Sequence, residues 1–355
     1  MQNFAVDFLP SRVVFGVGTR AKVSEEVDRL GHRRALVLST PEQAGLAEEI
    51  AGNLGALSVG IFSNATMHTP IAVSEAAVAK ARALNADVVV GVGGGSAIGL
   101  AKAIAVRTGF DQIVLPTTYA GSEMTPIVGE TVNDVKTTRR SPDILPEVVI
   151  YDVELTLTLP PRLSATSGLN AIAHAVEALY AQDWNPIHAL MAEEAVRVLA
   201  RALPQILHDP VDIAARTDAL YGAWLCGSCL GAVGMALHHK LCHTLGGTFN
   251  LPHSETHSVI LPHAFAYNAV AAPRATEAVA RALETRNAIS GLYDLSRRLG
   301  APASLRELGM PESGIEQAAD LAVSNPYWNP RPIERSAIRQ LLARAWAGYS
   351  PEAAL

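Results

Sequence analysis

Residues 87–102 read Asp-Val-Val-Val-Gly-Val-Gly-Gly-Gly-Ser-Ala-Ile-Gly-Leu-Ala-Lys, a β-branched run that ends in Gly93-Gly94-Gly95 and passes at once into a helical pattern. Glycines let the backbone take positive φ and approach a ligand closely, because no Cβ intrudes. The free N–H groups at the helix start then face that ligand, and the helix dipole favours an anion there. A pyrophosphate satisfies both conditions, so Gly93, Gly94, Gly95 and Ser96 are candidate dinucleotide contacts. The spacing is not that of G-x-G-x-x-G, which counted from Gly91 requires glycine where Ser96 stands. The passage demands a strand, a tight turn and a helix, the unit of an α/β sheet.

The same alternation runs through the first half of the chain. Candidate strands are 12–15, 35–38, 58–62, 87–92, 112–115 and 148–151, and helical stretches at 41–54, 71–84 and 97–107 lie between them. Strand and helix in alternation require crossover connections and a mostly parallel sheet covered on both faces. After Pro160-Pro161, which cannot continue a helix, the texture changes. Ala- and Leu-rich segments at 165–180, 188–203, 214–231 and 333–347 repeat apolar residues at helical spacing. The expectation is an α/β dinucleotide-binding domain over 1–160 and an all-α, substrate-binding and catalytic domain over 161–355. At 355 residues, two cores are also what length alone suggests.

Composition removes several classes of function. Lys and Arg number 28 against 34 Asp and Glu, a net charge of −6, and no basic run exceeds two residues. Neither nucleic acid nor an anionic membrane is an expected partner. No apolar run approaches the roughly 18–20 residues of a spanning helix. The start has no basic region leading into an apolar block, so no signal peptide is expected. Cys226, Cys229 and Cys242 cannot all pair, which fits a reducing cytoplasm. Cys226-Gly-Ser-Cys229 lies in an Ala/Gly/Leu helix pattern, where buried thiols filling a helix contact are the expected reading.

A second polar loop follows the strand at 112–115: Pro116-Thr117-Thr118-Tyr119-Ala-Gly-Ser122-Glu123-Met-Thr125. Small hydroxyls at the carboxyl end of a parallel strand sit where open α/β sheets bind ligands, so Thr117, Thr118, Ser122 and Thr125 join the cofactor candidates. The stretch after the second strand, Leu38-Ser39-Thr40-Pro41, carries no carboxylate before Glu42. Nothing there repels a 2′-phosphate, so Ser39 lies in a site expected to accept NADH or NADPH.

Six of the eleven histidines fall between 238 and 263: His238, His239, His243, His253, His257 and His263. On a helix His239 and His243 share one face, and Gly246-Gly247 is expected to end that helix and return His253 to the same region. Asn170 and His174 stand one helical turn apart among apolar neighbours. Neutral imidazoles ligate transition metals, whereas charged ones bind carboxylates and move protons.

With these segments in view, the sequence resembles the iron-containing alcohol dehydrogenase superfamily nearly end to end. The glycine turn, Lys102, the Pro116-Thr117-Thr118 loop, the Asn170/His174 segment and the His239–His253 segment carry that resemblance. Metal-dependent members have aspartate at both 99 and 170, where this chain has Gly99 and Asn170. Tyr119-Ala-Gly-Ser-Glu-Met-Thr-Pro, Val135-Lys136-Thr137-Thr138 and His238-His239-Lys240-Leu-Cys242-His243 are similar to signatures of the maleylacetate reductases within it. The resemblance implies the dehydroquinate synthase-like, iron-type alcohol dehydrogenase architecture, a homodimer, and Lys136 in the cofactor site. It also implies NAD(P)H-dependent reduction of the C=C bond of 2-maleylacetate, a dicarboxylate, to 3-oxoadipate in bacterial degradation of aromatic compounds. The alternative is a metal-dependent alcohol or aldehyde dehydrogenase of the same superfamily.

With Asn170 neutral, a divalent cation loses its only anionic ligand, so no metal is expected; any metal site would use His174, His239 and His253. A metal-free, cationic pocket with Lys240 and Asn170 would instead hold the dianion by charge-assisted hydrogen bonds. His174, His239 or His253 would stabilise an enolate oxyanion, and His243, then Tyr119, would be the general acid.

Overall fold

The computed structural model describes residues 4, 6, 8–9, 11–132, 135–324 and 327–352. Contacts divide the chain into two units, Phe8–Leu159 and a second that starts at Pro160. In the first, β1 (Arg12–Gly16), β2 (Ala35–Leu38), β3 (Ser58–Phe62), β4 (Val88–Gly93), β5 (Asp111–Pro116) and β8 (Val148–Asp152) form a parallel sheet in the order β1-β8-β5-β4-β2-β3. The helices α1 (Val23–Leu30), α2 (Ala44–Leu54), α3 (Ile71–Ala83) and α4 (Gly95–Thr108) are its crossovers. Val88, Val90 and Val92 of β4 pack with Val37, Ile113 and Ile150 against Val27 and Ile50 of α1 and α2. Each such side chain contributes about 1.5–3 kcal/mol on leaving water.

The six expected strands are all present, within a residue or so of their predicted ends. A hairpin of β6 (Ile127–Val132) and β7 (Val135–Arg140) is additional. The helix expected over 41–54 is α-helical only from Ala44, because Pro41–Gln43 forms a tighter 3₁₀ turn.

The second unit is helical: α5 (Pro161–Ala178), α6 (Pro186–His208), α7 (Ile213–Ala232), α8 (Leu237–Phe249), α9 (His253–Ala269), α10 (Pro273–Ala282), α11 (Ala288–Arg298), α12 (Gly314–Ser324) and α13 (Arg335–Ala347). Pro161 opens α5 at the position where a missing N–H costs nothing. From Ser164 onward α5 is buried on every face. At Gly168 a Cβ would lie 2.6 Å from a methyl of Leu203, so this glycine is what lets α6 approach. Asp212 caps α7 by accepting from the N–H groups of Ala214 and Ala215 at 2.9 and 3.1 Å.

A second core lies between α8, α9, α12 and α13, built on Leu241, Leu245, Ile260, Leu341 and Leu342. Gly246-Gly247 does not end α8, contrary to expectation. The helix continues to Phe249 and stops at Asn250, whose φ of 52° is left-handed. Leu245 and Phe249 pack into the second core and carry the helix past the glycine pair. Among the described residues, no single helix is long and apolar enough to cross a membrane.

Candidate functional site

In the N-terminal unit, the two loops that sequence reasoning singled out are in contact. β4 runs to Gly93, whose φ is 144°, Gly94 caps the next helix, and α4 begins at Gly95. Added at Gly93, a Cβ would meet Gln43 Oε1 at 2.4 Å and the Ala97 Cβ at 3.0 Å; at Gly94 it would meet the Thr118 methyl at 3.0 Å. The Thr117 N–H donates to the Gly93 carbonyl at 3.2 Å, and Gln43 Nε2 donates to Thr117 Oγ1 at 2.9 Å. Gly95 is exposed and Ser96 half-buried, so the helix start is open to a ligand.

Lys102 on α4 anchors the loop that follows. Its Nζ, wholly buried, donates to the carbonyls of Ser122, Thr125 and Ile127 and to Thr125 Oγ1, at 2.5 to 3.0 Å. Burial pulls its pKa down to about 7 against the attraction of Glu123. Four oxygens around Nζ are the partners of an ammonium, however, and we take the charged form as resident. Glu123, buried beside it, has its pKa raised by desolvation and accepts from Tyr151 Oη at 2.8 Å.

Ser122 Oγ is buried without a partner, a group available to a cofactor. Thr125 is committed to Lys102 and the Ser122 carbonyl. Ser39 is also buried, its hydroxyl donating to the Thr40 carbonyl at 3.0 Å and lying 2.9 Å from Ser63 Oγ. Tyr119 belongs to this unit and is fully buried. Lys136 lies on β7, and its side chain falls outside the described residues.

In the helical unit, imidazoles converge from three helices. Asn170, His174 and Glu177 occupy one face of α5 at spacings of four and three. His238 and His239 start α8, and His253 and His257 lie one turn apart at the start of α9. Ring centroids of His174 and His239 are 5.0 Å apart, His239 and His257 5.2 Å, and His253 and His257 4.3 Å. His243 is 6.2 Å from His239 and exposed, as is His253. Lys240 is half-buried with Nζ over the Tyr327 ring at 5.5 Å.

Four imidazoles of the cluster have depressed pKa values. Desolvation acts first on His174, His239 and His257, neighbouring imidazoles second, and all three fall well below 6.5. His238 falls to about 3, again mainly by desolvation. The four buried imidazoles are therefore held neutral, which differs from the cationic pocket expected from the sequence. Asn170 Oδ1, His174 Nδ1, His239 Nε2 and both ring nitrogens of His257 are buried with no partner among the described residues. An unpaired buried polar group costs about 1–3 kcal/mol, so such a concentration marks a place prepared for a guest.

Three of these residues were not assigned by sequence reasoning, His238 among them although it adjoins His239. Glu177 carries its signal only as the third residue after His174, and His257 only as the fourth after His253. The cysteines behave as expected: all three are free and buried, and burial pushes Cys229 up to about 12.

A sheet unit with an open glycine turn and a helical unit with a prepared polar cluster have, between them, the division of labour of a two-part oxidoreductase. The chain matches the sequence model described as iron-containing alcohol dehydrogenase over residues 10–153. It matches that of the Fe-containing alcohol dehydrogenase family, C-terminal, over 164–346. It is 58% identical to the maleylacetate reductase of Rhizobium sp. (strain MTP-10005), covering 99% of this chain and 100% of that one. Identity to the maleylacetate reductase of Burkholderia cepacia is 57%, with the same coverage. The crystal structure of maleylacetate reductase from Agrobacterium tumefaciens gives a TM-score of 0.97 at 58% identity, covering 99% of this chain and 100% of that one. The chain belongs to the iron-containing alcohol dehydrogenase family and is an enzyme, an oxidoreductase. Within that family, the three relatives named are all maleylacetate reductases.

The family name implies a metal; among the described residues, one ring nitrogen each of His238, His239 and His257 lie within 4.8 Å of one another, in place of the His174, His239 and His253 set expected, and such donors fit one. Asn170 Oδ1, His174 Nδ1 and His239 Nε2 are buried and unpartnered, and imidazole nitrogens with a carbonyl-type oxygen suit a divalent transition ion. All of them are neutral, which weakens the hold relative to a set containing a carboxylate.

Proposed function

We propose that this chain reduces the C=C bond of 2-maleylacetate to 3-oxoadipate with NADH or NADPH, in the catabolism of aromatic compounds. The observation that carries the reading is Asn170, a buried neutral amide facing the imidazole cluster with its oxygen unpaired. A carboxylate at that point would repel a substrate with two negative charges; the amide does not. The full-length similarity to maleylacetate reductases supports the same choice over an alcohol dehydrogenase.

The N–H groups of Gly94, Gly95 and Ser96 would hold the dinucleotide's pyrophosphate, with Thr117, Thr118 and Ser122 supplying hydroxyls and Lys136 a cation. When bound, the dihydronicotinamide would supply a hydride to the carbon β to the substrate's oxo group and become NAD(P)⁺. The π electrons would then move onto the oxo oxygen as an enolate. Among His174, His253 and His257, the imidazole that presents an N–H to this oxygen stabilises the charge. A proton from His243, or from Tyr119, then reaches the α-carbon and completes the reduction. Lys240 and imidazoles that gain protons as the dianion enters hold its carboxylates.

A divalent cation on His238, His239 and His257 would supply Lewis acidity at the oxo group. We take turnover to be independent of it, because protonated imidazoles meet the same charge. Further parts of the reading are a homodimer and a cytoplasmic location.

The test is consumption of NADH and NADPH by purified enzyme with maleylacetate, before and after chelation. Turnover that survives chelation supports the reading. Failure to consume either cofactor, or activity lost on chelation and restored by Fe²⁺ or Zn²⁺, sinks it in favour of the alcohol dehydrogenase.

A further inference from the structure

We propose that Glu177 is a positioning residue that holds His239 in the Nδ1–H tautomer, leaving Nε2 as a bare lone pair inside the cluster. The inference deepens the site reading above and shares its residues, but it does not depend on the substrate. Glu177 is wholly buried on α5, one turn beyond His174. Its Oε1 accepts the His238 N–H at 2.8 Å, and Oε2 accepts the Ala236 N–H at 2.9 Å. His239 Nδ1 lies 2.7 Å from Oε2, and the Tyr180 hydroxyl donates to Oε1 at 3.4 Å.

Backbone N–H groups can only donate, so both carboxylate oxygens are bound to be acceptors where α8 begins. A carboxylate already accepting two such bonds takes the His239 contact as a third donor, which places the proton on Nδ1. The other nitrogen, Nε2, has no partner among the described residues. A neutral imidazole protonated at one nitrogen offers only a lone pair at the other. His239 therefore does not donate to an enolate, as its sequence position alone suggested. It accepts, and its partner must bring a cation or a proton. One carboxylate thus caps the start of α8 and sets the chemical sense of the side chain in its first turn. Carboxylate–imidazole pairs of this kind orient rings in metal and proton-transfer sites generally.

The experiment is long-range ¹H–¹⁵N NMR on enzyme labelled with ¹⁵N-histidine, which separates protonated from bare ring nitrogens. The His239 signals are assigned by their loss in His239→Asn. In the wild-type enzyme without substrate, Nδ1 protonated and Nε2 bare is expected; in Glu177→Ala the Nε2–H form should appear, and Glu177→Asp should restore the original form. Maleylacetate turnover should fall about 10–100-fold in Glu177→Ala with the NADH affinity unchanged, and recover in part in Glu177→Asp. A wild-type His239 protonated at Nε2, or an unchanged tautomer in Glu177→Ala, overturns the proposal. Should Glu177→Ala not fold, the wild-type tautomer and the Glu177→Asp spectrum decide alone. Failure of the wild-type enzyme to reduce maleylacetate would strike the functional reading and leave the tautomer measurement standing.

Discussion

At the scale of single residues, the site is decided by charge that is missing. Asn170 is 3% exposed and its oxygen unpaired, so a carboxylate there would be an uncompensated buried charge beside neutral imidazoles. Asn170→Asp should therefore shift the balance between guests. Divalent-ion affinity, measured by calorimetry with Zn²⁺, should rise at least about tenfold, equivalent to about 1.4 kcal/mol. The KM for maleylacetate should rise by a similar factor while NADH affinity stays unchanged. An unaltered KM would show that the dianion does not sit against residue 170. In the other unit, Gly93 is held at a φ that side chains avoid. Gly93→Ala would push Gln43 off Thr117, and dinucleotide affinity, followed by NADH fluorescence, should fall at least about tenfold while the helical unit's imidazoles titrate as before.

Elements transmit these local choices. Lys102 ties α4 to the segment entering β6, and its ammonium partners three carbonyls that have no other cation among the described bonds. Lys102→Met should cost about 3–5 kcal/mol in urea unfolding, since Glu123 then keeps a buried carboxyl without its counter-charge, and should loosen the loop bearing Ser122. Unchanged stability together with unchanged NADH affinity would remove Lys102 from this role. Much of the element order was legible because β-branched runs such as 88–92 and Ala/Leu runs such as 165–178 have the periods of strand and helix. The hairpin β6–β7 was not. Val135–Arg140 reads Val-Lys-Thr-Thr-Arg-Arg, without alternation of apolar and polar residues, and its ladder depends on register with Ile127–Val132 instead. Gly246-Gly247 misled for the converse reason, because local propensity for a stop was overridden by packing of Leu245 and Phe249. The cluster itself was legible as a density of histidines, but its protonation was not. Burial and mutual proximity decide that, and neither is written in spacing.

For the whole molecule, burying so many imidazoles uncharged couples folding to pH. His263 on α9, away from the proposed ligand atoms, shows the sign most simply. It is 3% exposed with Nδ1 unpartnered, and desolvation first, then Arg344, lowers its pKa from 6.5 to about 4. Below 6.5 the unfolded chain takes up a proton that the folded chain refuses. Stability is thus complete above 6.5, declines as pH falls towards about 4, and for this group levels off below that. At about 1.4 kcal/mol per unit, His263 alone accounts for up to about 3 kcal/mol of that decline. Glu123, Glu147 and Glu177, whose pKa values burial raises, act in the opposite sense, so the overall slope is a sum of opposed groups. Comparison with His263→Leu isolates one of them. Removing an unbonded imidazole leaves stability near neutral pH within about 1 kcal/mol, whereas the loss on acidification should shrink by His263's share. Urea unfolding of both proteins between pH 6.5 and about 4 checks it. Parallel curves would mean that His263 takes up its proton in the folded state, with water or a carbonyl reaching a ring that the packing of α9 closes off.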